Sequence, residues 1–326
     1  RAGGYVLDFT KLTSKISNIG LELSAESEAS SKRLIRSLEI FEEAVKNDQV
    51  LGERLTSYID KFPWMVARPL ELLDNICPLP PSLKEMDKFT VVATDGSQIT
   101  PSHHEIALCY LINVGLIMYT YGTGEKPVQE SEPFIYDSEK DFYPTSKKTP
   151  SNFSEEVIAV KRMLAEMQEL ANLCRKAKER GHPTIAMVDG TLITWNITNQ
   201  MWPEEYQAKI LEKFLAVLDD IKSLEVPVCG YISNSRRNDF VNLLRVQSCP
   251  FKEIDCENVC SEKEACDEIV PLYDRQIWLN QLEQGERSPI FASSAKILEK
   301  YNDHQISFFY LNVGKDEIAR IEIPRW

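Results

Sequence analysis

The chain has 326 residues, 43% of them hydrophobic, and a formal net charge of −13. That length supports one large domain with appendages, or two domains, each with a proper core. The acidic balance excludes a protein that coats nucleic acid through bulk charge, but not an enzyme with a local basic groove.

No stretch of eighteen apolar residues predicts a membrane span, and no leader pattern is seen, so a cytoplasmic location is expected. The sequence begins at Arg1 and ends in an apolar stretch at Trp326, and the natural chain is expected to extend further.

Residues Leu7 to Tyr58 read as helical, because Ile35, Leu38, Ile40, Phe41 and Val45 recur near helical spacing among charged residues. Prolines from Pro63 to Pro81 then break the pattern, and Cys77 to Pro81 reads as an extended connector. Residues 1–82 are therefore expected to form a helical arm and proline-rich connector that packs on a partner subunit or, as the default, covers the core. Residues 83–326 are expected to form the main domain.

The run Phe89 to Ala93 predicts a buried strand ending in Thr94-Asp95-Gly96-Ser97. Residues 106–121 predict a hairpin of two strands with a turn at Asn113-Val114-Gly115. Residues 125–152 read as a loop-rich insertion with short strand content near Phe134 to Tyr136.

A long helix is predicted from Ser154 to about Arg180. It has acids in its first turn, bases in its last, and Gly181-His182-Pro183 as its stop. The strand Thr184 to Val188 then delivers a second motif, Asp189-Gly190-Thr191. An amphipathic helix follows from Glu204 to Leu224, and then a strand from Val226 to Ile232, an order that favours parallel pairing. Residues 238–248 read as a helix, 295–301 as another, and Ile306–Val313 with Glu317–Ile323 as a hairpin around Gly314-Lys315-Asp316.

Two strands that each end in Asp-Gly and a hydroxyl residue can set two carboxylates side by side. Like charges that close call for a cation between them, and glycine lets a phosphate approach the backbone. A lone Asp-Gly pair after a strand is an ordinary turn signal; the repeat of the pattern is what points to a site. A third carboxylate belongs on the preceding helix. From Asp189 back to Thr184 is about 17 Å of strand. About eleven helical residues cover the same distance in return, which lands near Met167. Glu166 flanks the apolar face there, and Glu169 points nearly opposite.

Asp95-Gly96-Ser97, the glutamate-bearing helix, Val188-Asp189-Gly190-Thr191-Leu192 and Gly230 to Arg236 together resemble the NurA family of nucleases. The likeness spans Met86 to Asp239 and continues more loosely to Trp326. It implies an α/β, RNase H-like mixed sheet flanked by helices. It also implies manganese-dependent cleavage of DNA from the 5′ end, a homodimer, and the hexameric translocase HerA as partner. By this likeness Asp95, Glu166 and Asp189 would hold two Mn²⁺ or Mg²⁺ ions.

The family also uses a histidine from a C-terminal helix. None of His103, His104, His182 and His304 matches it. Either that residue lies past Trp326, or His104 or His304 takes its place, or activity is impaired.

Gly96, Ser97 and Gly190 are candidate phosphate contacts, as are Arg236 and Arg237, with Arg245, Lys147 and Lys148 extending a groove. Tyr231, Tyr143 and Trp195 are candidates for stacking on bases. Cys249, Cys256, Cys260 and Cys266 form a C-x6-C-x3-C-x5-C segment over 249–266. This reads as a cysteine-rich insertion holding structural Zn²⁺ or an iron–sulfur cluster, although it lacks the Cys-x-x-Cys pair of a zinc ribbon. Cys77, Cys109, Cys174 and Cys229 read as small buried hydrophobes.

Two other functions compete. An actin-like ATPase or sugar kinase would place a residue between Asp and Gly, and neither copy has one. A non-catalytic adaptor would bind a translocase through its acidic surface.

Overall fold

The computed structural model describes residues 9–80, 86–100, 109–137, 155–198, 202–256, 260 and 265–326, with side chains from Glu26 onward. Its helices are α1 (Phe9–Lys46), α2 (Asp48–Tyr58), α3 (Glu155–Lys178), α4 (Glu204–Ser223), α5 (Asp239–Ser248) and α6 (Asp274–Gln281). Its strands are β1 (Arg68–Pro69), β2 (Phe89–Ile99), β3 (Tyr110–Tyr121), β4 (Val128–Tyr136), β5 (Thr184–Asp189), β6 (Val228–Ile232), β7 (Phe291–Ala292), β8 (Ile306–Gly314) and β9 (Glu317–Pro324).

All nine strands form one sheet in the order β1-β7-β8-β9-β6-β5-β2-β3-β4. β2 runs antiparallel to β3 and parallel to β5, and β5 runs parallel to β6. An antiparallel three-strand ribbon extended by parallel strands is the RNase H-like arrangement.

The parallel half follows from its connections. α3 carries the chain from β4, at the sheet edge, back past β3 and β2 to β5, and α4 carries it from β5 to β6, a helical crossover between parallel neighbours. Alternation then sorts each strand's residues. Thr90, Val92 and Thr94 are buried against α3, while Val91, Ala93 and Asp95 face the other way.

One core lies between the sheet, α3 and α4, around Met167, Leu170, Phe214 and Leu218. A second lies between β8, α1, α5 and α6, around Phe41, Phe240, Trp278 and Tyr310. Phe41 and Trp278 meet edge to face at 5.6 Å, and Trp278 stacks on Tyr310 at 5.8 Å. The outer sheet face carries a smaller cluster, with Cys229, Ala319 and Ile321 at its centre.

Several expectations are corrected. β3 runs straight through Asn113 to Gly115, where a turn is predicted, because the ladder pairs Ser97 with Asn113 and Asp95 with Gly115. For the same reason β2 does not end at Ala93 but continues to Ile99. β4 is a full nine-residue strand, longer than the content expected near Phe134. Ile35 is 61% exposed, so the buried face of α1 is Ile40, Phe41 and Ala44. Cys174 and Cys229 are buried, but Cys77 is only half-buried and Cys109 is exposed.

Residues from Ile40 to Leu73 contribute to the same core as β8 and α5, and β1 joins the same sheet through β7. No helix among the described residues is long and apolar enough to cross a membrane.

Candidate active site

The parallel register pairs Thr94 with Val188, so the next residues, Asp95 and Asp189, sit side by side on adjacent strands. That spacing is about 4.8 Å between strands. Both aspartates are exposed, and both line a cleft of about 490 Å³ on the outer sheet face, with Ala93, Ile117, Met187 and Tyr231. Tyr231 pairs with Asp189 across the ladder and donates its hydroxyl to Glu317 at 3.0 Å.

Glu166 reaches the same end of the sheet from the helical side. α3 packs across β2, where the Thr94 hydroxyl donates to the Glu166 carbonyl at 3.0 Å. The Glu166 carboxylate accepts the Gly96 N–H. A Cβ at residue 96 would stand 2.2 Å from Glu166 Oε1 and 2.7 Å from Arg162 Cγ, so glycine is what lets the carboxylate come this close.

Arg162 Nε lies 3.2 Å from the same oxygen but without hydrogen-bond alignment, which leaves that buried donor unsatisfied. Burial pushes the Glu166 carboxyl up to about 7. Arg162 opposes the shift, Asp95 and then Asp189 add to it, and the Gly96 N–H opposes it. Three carboxylates thus share one electrostatic neighbourhood. Glu169 lies elsewhere, in a cleft with Phe134, Lys161 and Lys213, and accepts from Asn172 at 3.2 Å.

The second Asp-Gly motif has a scaffold that sequence reading missed. Gly190 takes φ +119 and donates its N–H to the Tyr231 carbonyl at 2.9 Å. Gly230 passes so close beneath it that a Cβ would meet Gly190 O at 2.5 Å. The Thr191 hydroxyl and the Leu192 N–H both donate to Glu322 Oε2, at 2.6 and 2.9 Å. Tyr301 accepts from Thr194 N and donates to the Leu192 carbonyl.

Glu322 is 1% exposed and is itself held by Arg320, which is fully buried and also binds Asp239. Arg237 closes the chain on Asp239 with two hydrogen bonds. Behind Asp239, burial and the Asp239 charge raise the pKa of Asp274, which accepts from Val241 N and from the Tyr310 hydroxyl. One signal was available in the sequence: Arg320 and Glu322 alternate with apolar residues in β9 and so share its inner face.

The remaining candidates separate. Arg237 is engaged by Asp239 and lies over the Trp195 ring at 4.8 Å, which corrects the expectation of a free phosphate contact and a free stacking ring. Arg245 is likewise engaged, over Trp64 at 3.8 Å and on the Cys266 carbonyl. Arg236 and Ser97 are exposed.

His304 is buried far from this end of the sheet. It accepts from Trp326 Nε1 on Nδ1 and therefore donates from Nε2 to Asp219 at 2.9 Å. It does not replace the family's histidine at the site. His103, His104, Glu105, Tyr143, Lys147, Lys148 and Ser154 lie outside the described residues.

The donor set of Asp95, Glu166 and Asp189 is all carboxylate oxygen, which suits a hard divalent cation in kind. As the side chains stand, no three His, Cys, Asp or Glu groups among the described residues are close enough to hold a metal ion. Glu166 is turned toward Arg162 and Gly96 instead.

The NurA domain profile matches residues 89–326. The chain belongs to the NurA family. The matched span begins at the first residue of β2 and so includes Asp95, Glu166 and Asp189.

Among solved structures, the NurA nuclease from Sulfolobus solfataricus is similar at 10% identity and a TM-score of 0.43. That match covers 88% of this chain and 81% of that one. The catalytic domain of human Endonuclease V is similar at 11% identity and a TM-score of 0.28, covering 86% and 82%. At these scores neither likeness bears on the site. No curated protein matches the sequence.

Proposed function

We propose that this chain is a divalent-metal-dependent nuclease that cuts DNA at ends, with residues 83–326 as its nuclease domain. The observation that carries the reading is the placement of Asp95 beside Asp189, with Glu166 held over Gly96 next to them. Asp95, Asp189 and Glu166 would hold Mn²⁺ or Mg²⁺. When bound, such ions activate the attacking water and stabilise the leaving oxygen of a phosphodiester.

The chain's own residues do the rest. Glu322 and Tyr301 fix the turn after Asp189. Gly96 keeps room for Glu166. Ser97 and Arg236 are exposed groups for substrate phosphate. Family membership supports DNA as substrate, resection in the 5′ to 3′ direction during double-strand break repair, and a HerA-type translocase as partner.

A homodimer is part of the same proposal. On the outer sheet face Ile117, Tyr119 and Tyr121 are 39%, 41% and 45% exposed, a surface suited to covering by a second copy.

A second reading is an adaptor that binds a translocase without cutting. Arg162 competes for Glu166, and Arg237 and Arg245 are used internally, so among the described residues free cations near the site are few.

End-labelled single- and double-stranded DNA separates the two readings. It is incubated with Mn²⁺, Mg²⁺ or EDTA and wild type, Asp95→Ala or Asp189→Ala. Metal-dependent cutting lost in both variants supports the nuclease. No cutting by wild type, even with a HerA-type translocase present, leaves the adaptor.

A further inference from the structure

Arg162 and Glu166 lie one turn apart on α3, and their side chains meet at the same point of the sheet. Arg162 Nε is 3.2 Å from Glu166 Oε1. A Cβ on residue 96 would stand 2.7 Å from Arg162 Cγ, 3.0 Å from its Cδ and 2.2 Å from Glu166 Oε1. Gly96 therefore makes room for both side chains, and both lie against the residue that follows Asp95. The Thr94 hydroxyl fixes the helix at this height by donating to the Glu166 carbonyl at 3.0 Å.

An ion pair at this helical spacing is commonly a solvated surface contact of little weight. This pair is built differently. The Glu166 side chain is only 20% exposed. Arg162 Nε is buried without a hydrogen-bond partner, so it has left water for the nearness of a charge alone. A solvated arginine keeps its water and needs no glycine on the neighbouring strand.

The pairing has a consequence for the site. Among the described residues Asp95 and Asp189 pair with no cation, whereas Glu166 pairs with Arg162. Register sets Asp95 and Asp189 on adjacent strands. Yet no three ligating side chains among the described residues converge closely enough for a metal ion. Glu166 is the carboxylate held elsewhere, and Arg162 is the charge that holds it.

Resting on the divalent-metal reading above, we propose that Arg162 is a built-in counter-ion of the carboxylate site. It holds Glu166 against Gly96 and releases it only in exchange for a divalent cation, so Arg162 sets how tightly the chain takes up Mn²⁺. The two are alternatives for one carboxylate. Arg162 offers a single charge on a poorly aligned N–H, and a hard divalent cation offers two charges and direct bonds to oxygen. Without Arg162, the carboxylates face one another with no positive charge of the pair to offset them, and the competitor for Glu166 is gone.

The test uses the full chain as wild type, Arg162→Gln, Arg162→Lys and Asp95→Ala, with Mn²⁺ uptake read from the electron paramagnetic resonance signal of the free ion. Arg162→Gln is expected to bind Mn²⁺ more tightly than wild type by roughly 3- to 10-fold, the weight of one partly buried ion pair. Arg162→Lys keeps the charge and should stay near wild type. In EDTA, Arg162→Gln should melt below wild type, and added Mn²⁺ should close the gap. A residue that only braced α3 would lower the melt with EDTA and with Mn²⁺ alike, and would not tighten Mn²⁺ binding. Should Arg162→Gln fail to fold, wild type decides: the Arg162 Nε–H resonance, assigned by its absence in Arg162→Lys, is expected to shift when Mg²⁺ is added. An unmoved resonance overturns the inference. So does Mn²⁺ binding no tighter in Arg162→Gln than in wild type while Asp95→Ala loses it, which leaves the metal site standing. Equal Mn²⁺ uptake by wild type and Asp95→Ala overturns the metal reading itself, and this inference with it.

Discussion

Asp95-Gly96-Ser97 and Asp189-Gly190-Thr191 look alike in sequence and are built differently. The first runs through the middle of a strand. Its glycine has ordinary extended backbone and is needed because Glu166 Oε1 occupies the space a Cβ would take. The second ends its strand. Its glycine takes φ +119 with open space around it, and its hydroxyl is tied to a buried carboxylate. One motif is shaped by what approaches it from the helical side, and the other by the turn it must make. The shared pattern supplies two neighbouring carboxylates, but the supports behind them are unrelated, so substitutions should separate them.

The largest expected effect is at Glu322, which supports only the second motif. Glu322→Ala leaves Thr191, Leu192 and part of Arg320 unpaired in a buried place. Breaking a buried pair in this way costs about 3–5 kcal/mol. Glu322→Gln keeps an acceptor for Leu192 N and is expected to fold. Its nuclease activity should drop roughly 10- to 100-fold, as for groups that orient a ligand loop. Thermal melts and DNA cleavage on the two variants check this. Equal activity of Glu322→Gln and wild type would show that the Asp189 turn holds without the charge.

The network behind Glu322 adds a pH dependence of its own, beside the one that the buried Glu166 carboxyl gives the first motif. Asp274 holds its proton more tightly in the folded chain than in the unfolded one, because it is buried and faces Asp239. Folding therefore takes up a proton between the two pKa values. Stability from this group is complete below the unfolded pKa, near 4, and declines as pH rises toward neutrality. Asp274→Asn should flatten that slope. Melting temperatures from pH 4 to 8 decide the point, and an unchanged slope would place the titration elsewhere.

The glycines separate next. Gly96→Ala pushes Glu166 and Arg162 aside, so it should cost activity about as much as Glu166→Ala does, with a modest loss of stability. Gly190→Ala meets no atom but forces an L residue into a strained backbone conformation. Its cost should be about 1–3 kcal/mol of stability. The paired measurement is specific activity against melting temperature. If both variants lose the same quantity, the two motifs are supported alike after all.

How much of this was legible beforehand depends on how local the cause is. The runs Phe89 to Ala93 and Thr184 to Val188, and the apolar face of α4, read directly, because each element's own spacing sets its burial. The run-on of β2 to Ile99 did not, because it depends on pairing Asp95 with Gly115, a partner twenty residues away. The turn predicted at Asn113 to Gly115 failed for the same reason. Arg237 looked like a phosphate ligand because nothing near it in sequence reveals that Arg320, more than eighty residues on, shares Asp239 with it. At the candidate site, the adjacency of Asp95 and Asp189 was legible, and the buried groups behind them were not.

The hydroxyls give the smallest contrast and the cleanest one. Ser97 is exposed, with no partner among the described residues, so Ser97→Ala should change stability by less than about 0.5 kcal/mol. Thr191 donates to a buried carboxylate at 2.6 Å and accepts from Ile193 N at 3.0 Å. Thr191→Val keeps the shape and loses both bonds, which should cost about 1.5–3 kcal/mol. Denaturant titrations on the two single variants and the double variant measure the difference. Additive losses would follow from two independently supported motifs. A large coupling between residues 97 and 191 would instead mean that the two turns are braced against each other across the Asp95–Asp189 edge, and that the aspartates are positioned as one unit.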